Sequence, residues 1–262
     1  APHMSASAVR FSARGLLCPC MPELPEVETV RRGLLPRLVG RRIVRLQQRR
    51  PDLRVPLPAK FASRVEGRTV RGIDRRAKYL LIRLDDGQTL IAHLGMSGRM
   101  TLHDAASAAS HPLDRHDHVV FDVDDGWQVR FNDARRFGLM LLVADDAVPQ
   151  HKLFKGLGPE PLDAAFDGTV LAMRLAGRKT PIKAALLDQK TLVGVGNIYA
   201  CEALFLAGIS PRRSAHTVQG ERAGRLVEAI KRVLNSSIED GGSTLRDHIQ
   251  PGRELGYFHT RF

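Results

Sequence analysis

Apolar residues first recur with helical spacing at Val27, Val30, Leu34, Leu35 and Leu38, which places them along one face of a helix. Pro22 ahead of them, with Glu23, Glu26 and Glu28 in the first turns, suits a helix N-terminus and predicts a helix over 22–39. From residue 42 to 145 the pattern shortens. "RIVRLQQ", "TVRGIDR", "KYLLIRL", "TLIAHLG", "HVVFDV", "WQVRF" and "LMLLV" are β-branched or leucine-rich segments of strand length. Asp86-Gly87 and Asp125-Gly126 fall between such segments and predict hairpins, so the strands pair antiparallel, as a sandwich or barrel. Beyond Gly158-Pro159-Glu160-Pro161 the strand pattern stops. Helical spacing returns over Val170–Leu175, Ile182–Leu187, Ile198–Ala207 and Glu221–Ser237, with Leu226, Ile230, Val233 and Leu234 forming one stripe in the last. The expected fold is α+β: a β-sandwich domain with an N-terminal helix over 21–150, a linker over 151–168, and a helical domain over 169–262. A cleft between the two domains is the default binding site.

Composition narrows the partner. The 262 residues carry 40 Lys+Arg against 28 Asp+Glu, a formal charge of +12. Residues 1–20 contain only Arg10 and Arg14, so the excess belongs to the folded part. Such a basic balance points to a polyanion, most commonly nucleic acid, although an arginine-favouring genome would produce it too. No apolar run is long enough to span a bilayer, which argues against a membrane partner. Three cysteines are too few for a disulfide-stapled domain. Cys201, inside a helical pattern, is expected in the core, and Cys18-Pro19-Cys20 has no second pair with which to bind zinc. "APHM" reads as a remnant of tag removal. The rest of 1–20 reads as a transit peptide or as an upstream start assigned in error, and is set aside from the fold.

Several short stretches carry candidate chemistry. A model α-amino group has a pKa near 8 and lysine one near 10.4, so at pH 7.5 roughly a quarter of such amines are free against about a thousandth of lysines. A proline at a chain start is therefore a ready nucleophile that gives an iminium directly, and a neighbouring Glu23 could carry protons. On spacing alone, Pro22 and its acids equally describe an ordinary helix start. Arg75, Arg76 and Lys78 begin a strand, where a solvated basic edge is the plainer reading. Met96, between Gly95 and Gly98, is unusual on a turn and could act as an apolar wedge in a base stack. Arg135 and Phe137, two apart, would point to the same side and together could replace an extruded nucleotide. Gly194 and Gly196 before Asn197 and a helix offer backbone amides to a phosphate, with Lys179 and Lys183 nearby.

In this order, "MPELPEVET" (21–29), "RRAKYLL" (75–81), "HLGMSG" (93–98), "HDH" (116–118), "NDARRFG" (132–138), "LGPEPL" (157–162), "VGVGNIYA" (193–200), "GGSTLRD" (241–247) and "GYF" (256–258) closely resemble the formamidopyrimidine-DNA glycosylase family, bacterial enzymes that excise oxidised purines. "PELPEVET" is similar to this branch rather than to the endonuclease VIII branch. The resemblance implies a β-sandwich followed by a helix–two-turn–helix domain, with DNA in the cleft. It implies Pro22 as the nucleophile at C1′ of the lesion nucleoside, Glu23 as the group handling the proton at the sugar, and Glu26 in support. Lys78 would contact a phosphate near the lesion and assist β-elimination. Met96, Arg135 and Phe137 would fill the space of the flipped nucleotide, and His116, Arg135, Lys179 and Asn197 would bind DNA. The implied partner is double-stranded DNA with oxidised purines or abasic sites, met by a monomer in the bacterial cytoplasm at the nucleoid. The implied outcome is base release followed by β,δ-elimination through a Schiff base.

The sequence departs from the family in two places. The family ends with a four-cysteine hairpin around one structural zinc, whose arginine enters the minor groove. Here the chain stops at "GYFHTRF", where that hairpin would begin, and no C-x-x-C occurs. No metal ligand is assigned and no cofactor is supported by this chain. Pro22 is also acylated by Met21, which removes the nitrogen lone pair and predicts an impaired enzyme. The alternative is a non-catalytic protein that binds damaged DNA with its amine blocked.

Overall fold

The computed structural model describes residues 21–241. The extension over 1–20, most of "GGSTLRD", "GYF" and the place of the family's zinc hairpin lie outside the described residues. The first helix, α1 (Leu24–Leu38), is followed by β1 (Ile43–Gln48), a short α2 (Phe61–Val65), β2 (Val70–Arg76), β3 (Tyr79–Leu84), β4 (Gln88–His93) and β5 (Arg99–His103). Then come α3 (Ala105–Ser110), β6 (Asp117–Val123), β7 (Gln128–Asn132) and β8 (Leu139–Ala144). The helical part holds α4 (Gly168–Leu175), α5 (Ile182–Leu187), α6 (Asn197–Leu206) and α7 (Glu221–Glu239).

Two four-stranded antiparallel sheets, ordered β1-β6-β7-β5 and β2-β3-β4-β8, stack as the expected sandwich. Both Asp-Gly turns close hairpins, β3 to β4 and β6 to β7, with Gly87 and Gly126 at φ 75° and 85°. β3 reads as continuous leucine because both its faces are covered. Leu80, Ile82 and Leu84 face the sandwich interior, while Leu81 packs with Ile91 and Phe154 from the segment after the last strand. The 151–168 stretch is thus a packed layer on the sheet for part of its length.

Pro22 is not the first helical residue. Glu23 is the N-cap, and Pro25 is the proline of the first turn. Glu26 returns to the cap, its carboxylate accepting from the Glu23 N–H at 2.9 Å. The helix then divides between two cores. Val27, Val30, Leu34 and Leu38 join the sandwich, whereas Leu24 is fully buried in the helical core with Tyr199, Leu226, Ile230 and Leu234. The first turn of α1 is therefore the joint between the domains, and a backbone hydrogen bond, Leu24 N–H to Gly194 O at 2.9 Å, helps to close it.

Two expectations need correction. Cys201 is exposed, because α6 turns Tyr199, Ala200, Ala203 and Leu204 inward and leaves position 201 outside that arc. Arg75 and Arg76 are not a solvated edge. Arg75 pairs with Glu28 and Glu160, and Arg76 pairs with Glu160. β5 (Arg99–His103) is an added strand: it starts directly after the Met96–Gly98 turn, which conceals it. No described helix is long and apolar enough to cross a membrane.

Candidate active site

The carboxylate of Glu23 stands at the N-terminus of α6. Its Oε2 accepts from the Gly196 N–H at 2.6 Å and its Oε1 from the Ile198 N–H at 3.0 Å. Two otherwise unpaired helix amides thus hold it. An added Cβ at 196 would lie 2.5 Å from the Glu23 carboxyl carbon, so any larger residue there would push the carboxylate off these amides. Gly194 has the same constraint against Leu24, at 2.7 Å, and its φ of 80° suits glycine alone. Burial dominates the electrostatics of Glu23, which is 2% exposed, and pushes its pKa up to about 7. The Lys78 charge and the two amides oppose that rise, while the Glu26 charge adds to it. A carboxyl poised near neutral pH can both give and take a proton there.

Behind it, Glu26 Oε1 accepts from the Tyr199 hydroxyl at 2.6 Å, and that hydroxyl also meets Ser237 Oγ of α7 at 2.6 Å. All three side chains are buried, so the acid pair is fixed from the helical side.

Beside Glu23 opens a cleft of about 360 Å³. Met21, Lys78, Tyr79, His93 and Arg54 line it from the sandwich side, and Leu187, Gln189, Val195 and Gly196 from the helical side. Pro22 is buried, and the carbonyl of exposed Met21 acylates its nitrogen. His93 is a neutral donor in this wall. Burial, followed by the Arg54 and Lys78 charges, lowers its pKa to about 4, and its Nδ1 accepts from the Gly95 N–H at 2.9 Å. The proton therefore sits on Nε2.

The second group of residues sits on two loops clasped together. An added Cβ at Gly95 would meet the Phe137 carbonyl carbon at 2.3 Å, so the Met96 turn runs directly against the Arg135–Phe137 loop. Fully buried Asp133 ties them, accepting from Ser97 Oγ at 2.6 Å and from the Gly138 N–H at 2.8 Å. Ser97 Oγ accepts in turn from the Arg135 N–H at 3.1 Å. His118 Nε2 donates to the Asp133 carbonyl at 2.8 Å. Out of this rigid base project Arg135 and Phe137, the guanidinium 4.8 Å from the ring centroid and Phe137 42% exposed. Met96 beside them is half-buried.

The structure thus brings Pro22, Glu23, Glu26 and Lys78 together, with Asn197 exposed at the first position of α6. Met96, Arg135 and Phe137 form one projection. His116 and Lys179 are not part of the cleft wall. His116 lies before β6 with Nδ1 3.1 Å from Asp114, and Lys179 is exposed before α5. Sequence reasoning missed His93, Tyr199, Asp133 and Glu160. All four stand inside the motifs given above, in HLGMSG, VGVGNIYA, NDARRFG and LGPEPL; what marks them is the hydrogen bonding of a buried or half-buried polar group, which a motif does not display. Among the described residues no group of three or more His, Cys, Asp or Glu could hold a metal ion, so the family's zinc is assigned to none of them.

A β-sandwich and a helical domain joined through one capped helix turn, with a poised carboxyl at the joint, define a two-domain protein of the sandwich and helix–two-turn–helix class. The family models agree: the formamidopyrimidine-DNA glycosylase N-terminal domain matches residues 21–140 and the H2TH domain of the same enzymes matches 157–248. The chain belongs to the formamidopyrimidine-DNA glycosylase family. It is 56% identical over 247 residues to the formamidopyrimidine-DNA glycosylase of Dinoroseobacter shibae, covering 92% of this chain and 87% of that one. The crystal structure of the MutM (Fpg) protein of Thermus thermophilus superposes with a TM-score of 0.80 at 39% identity, covering 92% of this chain and 85% of that one. A Lactococcus lactis Fpg mutant in complex with Fapy-dG-containing DNA gives 0.80 at 34% identity, covering 91% and 86%.

Proposed function

We propose that this protein is a base-excision repair enzyme, a DNA glycosylase and AP lyase that removes oxidised purines from double-stranded DNA. The observation that carries the reading is the Glu23 carboxyl, held by the Gly196 and Ile198 amides with its pKa near 7, next to Pro22 and under the charge of Lys78. With Pro22 as first residue, its secondary amine attacks C1′, and the base departs with the electrons of the glycosidic bond and takes up the proton the amine loses. Glu23 supplies the proton as the sugar ring opens at O4′, which leaves an iminium on Pro22. Glu23, now ionised, takes a proton from C2′, the C–H electrons expel the 3′ phosphate, and Lys78 stabilises the departing charge from the cleft wall. His93, neutral, donates from Nε2 to a backbone phosphate. Arg135, Phe137 and Met96 occupy the gap left by the flipped nucleotide. His116, Lys179 and Asn197 add contacts along the backbone. The enzyme acts as a monomer on the DNA of the bacterial nucleoid, in keeping with a relative that was solved on Fapy-dG-containing DNA.

The chemistry needs a free amine, so the Schiff base forms only on a chain whose first residue is Pro22. The test compares that chain with one retaining Met21, each mixed with duplex carrying 8-oxoguanine and then borohydride. The Pro22-first chain is expected to give the covalent adduct and the Met21 chain none. No adduct from the Pro22-first chain, with lesion binding intact, would instead establish the non-catalytic binder.

A further inference from the structure

We infer that Glu160, on the connection between the domains, is a positioning residue for Lys78; the inference rests on the reading of Lys78 given above. Lys78 follows Ala77, the first residue of the two-residue turn between β2 and β3. Ala77 has φ 53° and is 2% exposed, a left-handed conformation that a residue with a side chain keeps only when its surroundings enforce it. Both peptide groups of Ala77 are held. Its N–H donates to Glu160 Oε1 at 2.7 Å, and its carbonyl accepts from Arg75 Nη1 at 2.9 Å. The same Arg75 nitrogen donates to Glu160 Oε2 at 2.7 Å, and Arg76 Nη1 donates to Glu160 Oε1 at 2.9 Å. One carboxylate therefore fixes the turn on its N–H directly and on its carbonyl through Arg75. The direction in which Lys78 leaves the turn follows.

The base that holds Glu160 is fixed as well. The Gly158 N–H donates to Gln189 O at 2.8 Å and the Val193 N–H to Pro159 O at 3.1 Å. Gln189 Oε1 accepts from the Gly194 N–H at 2.8 Å, two residues before the amide that holds Glu23. The turn presenting Lys78 and the loop capping Glu23 are thus anchored to one short connection, which sets the spacing of the two groups. A merely structural ion pair would not need to reach the Ala77 N–H.

A double-mutant cycle on the Pro22-first chain, which keeps every described residue but Met21, tests this. Strand cleavage at an abasic site is measured under single turnover, and the Kd for duplex with a reduced abasic analogue is measured alongside, well below each Tm. Glu160→Gln is expected to slow cleavage about 10- to 100-fold while Kd stays within about threefold. In the Lys78→Ala background, Glu160→Gln is expected to change the rate by less than about twofold, because its effect passes through Lys78. An equal slowing in both backgrounds overturns the inference and leaves the reading of Lys78 standing. If Lys78→Ala does not slow cleavage, the reading of Lys78 fails and the inference with it. Should Glu160→Gln not fold, Ala77→Gly added to it removes the steric burden of the turn, and the same cycle is run on that pair of changes.

Discussion

Replacing Glu23 by glutamine should make the protein's stability less dependent on pH, in a direction fixed by the environment of that side chain. The Glu23 carboxyl has a pKa near 7 in the folded chain against an ordinary 4.5. The folded state therefore holds this proton more tightly than the unfolded state does. Below about pH 4.5 both states are protonated and burial imposes no penalty. Between that value and 7 the unfolded chain ionises first, and folding stability falls by up to about 1.4 kcal/mol per pH unit. Above 7 the loss is complete, at about 3 kcal/mol. Side-chain exposure of 2% leaves little solvent screening to reduce it. Glutamine cannot ionise, so it removes the slope. It also turns an –NH₂ toward one of the amides of Gly196 and Ile198, but that offset is the same at every pH. Urea denaturation of the full chain and of Glu23→Gln at pH 5, 6, 7 and 8 measures the difference. The variant should gain about 2.5 kcal/mol relative to the parent between pH 5 and pH 8, since part of the loss is already present at pH 5. A difference that stays flat, or that moves the other way, would refute the claim that burial governs this carboxyl.

Asp133→Ala removes the acceptor of Ser97 Oγ and the Gly138 N–H inside a fully buried loop base. It should lower stability by about 2–4 kcal/mol in urea titrations and weaken binding to lesion duplex, because the projecting loop loses its anchor. Phe137→Ala exposes no core, so its Tm should stay close to the parent's. Base release under single turnover should fall at least tenfold, while a preformed abasic site, which is easier to unstack, is cleaved with a smaller loss.

Most of the fold was legible because its signals are local. Short β-branched and leucine-rich segments, two Asp-Gly turns and the Leu226–Leu234 stripe each determine a segment without knowledge of the rest. β5 escaped because a turn rich in glycine runs into it, and Cys201 was misplaced because an apolar stretch longer than one helix face cannot all be inside. The site was legible as a set of motifs, and the structure draws most of them to one joint. The parts that sequence could not supply are long-range. Glu160 meets Ala77 across 83 positions, and Glu23 meets Gly196 across 173. No periodicity reports contacts of that separation, and resemblance supplied the roles without the bonds that enforce them.

The division of α1 between two cores limits how this molecule can move. Leu24 belongs to one domain and Val27 to the other, and the capped carboxylate lies at the same turn. A hinge motion that parted the domains would stretch bonds of 2.6 to 3.0 Å at Glu23, and these are lost within about half an ångström of extension. The acid is thus an interlock: wherever the domains swing apart, it is switched off. Admission of a nucleotide to the cleft must then fall to loops and side chains, with the two domains held in fixed register throughout a turnover.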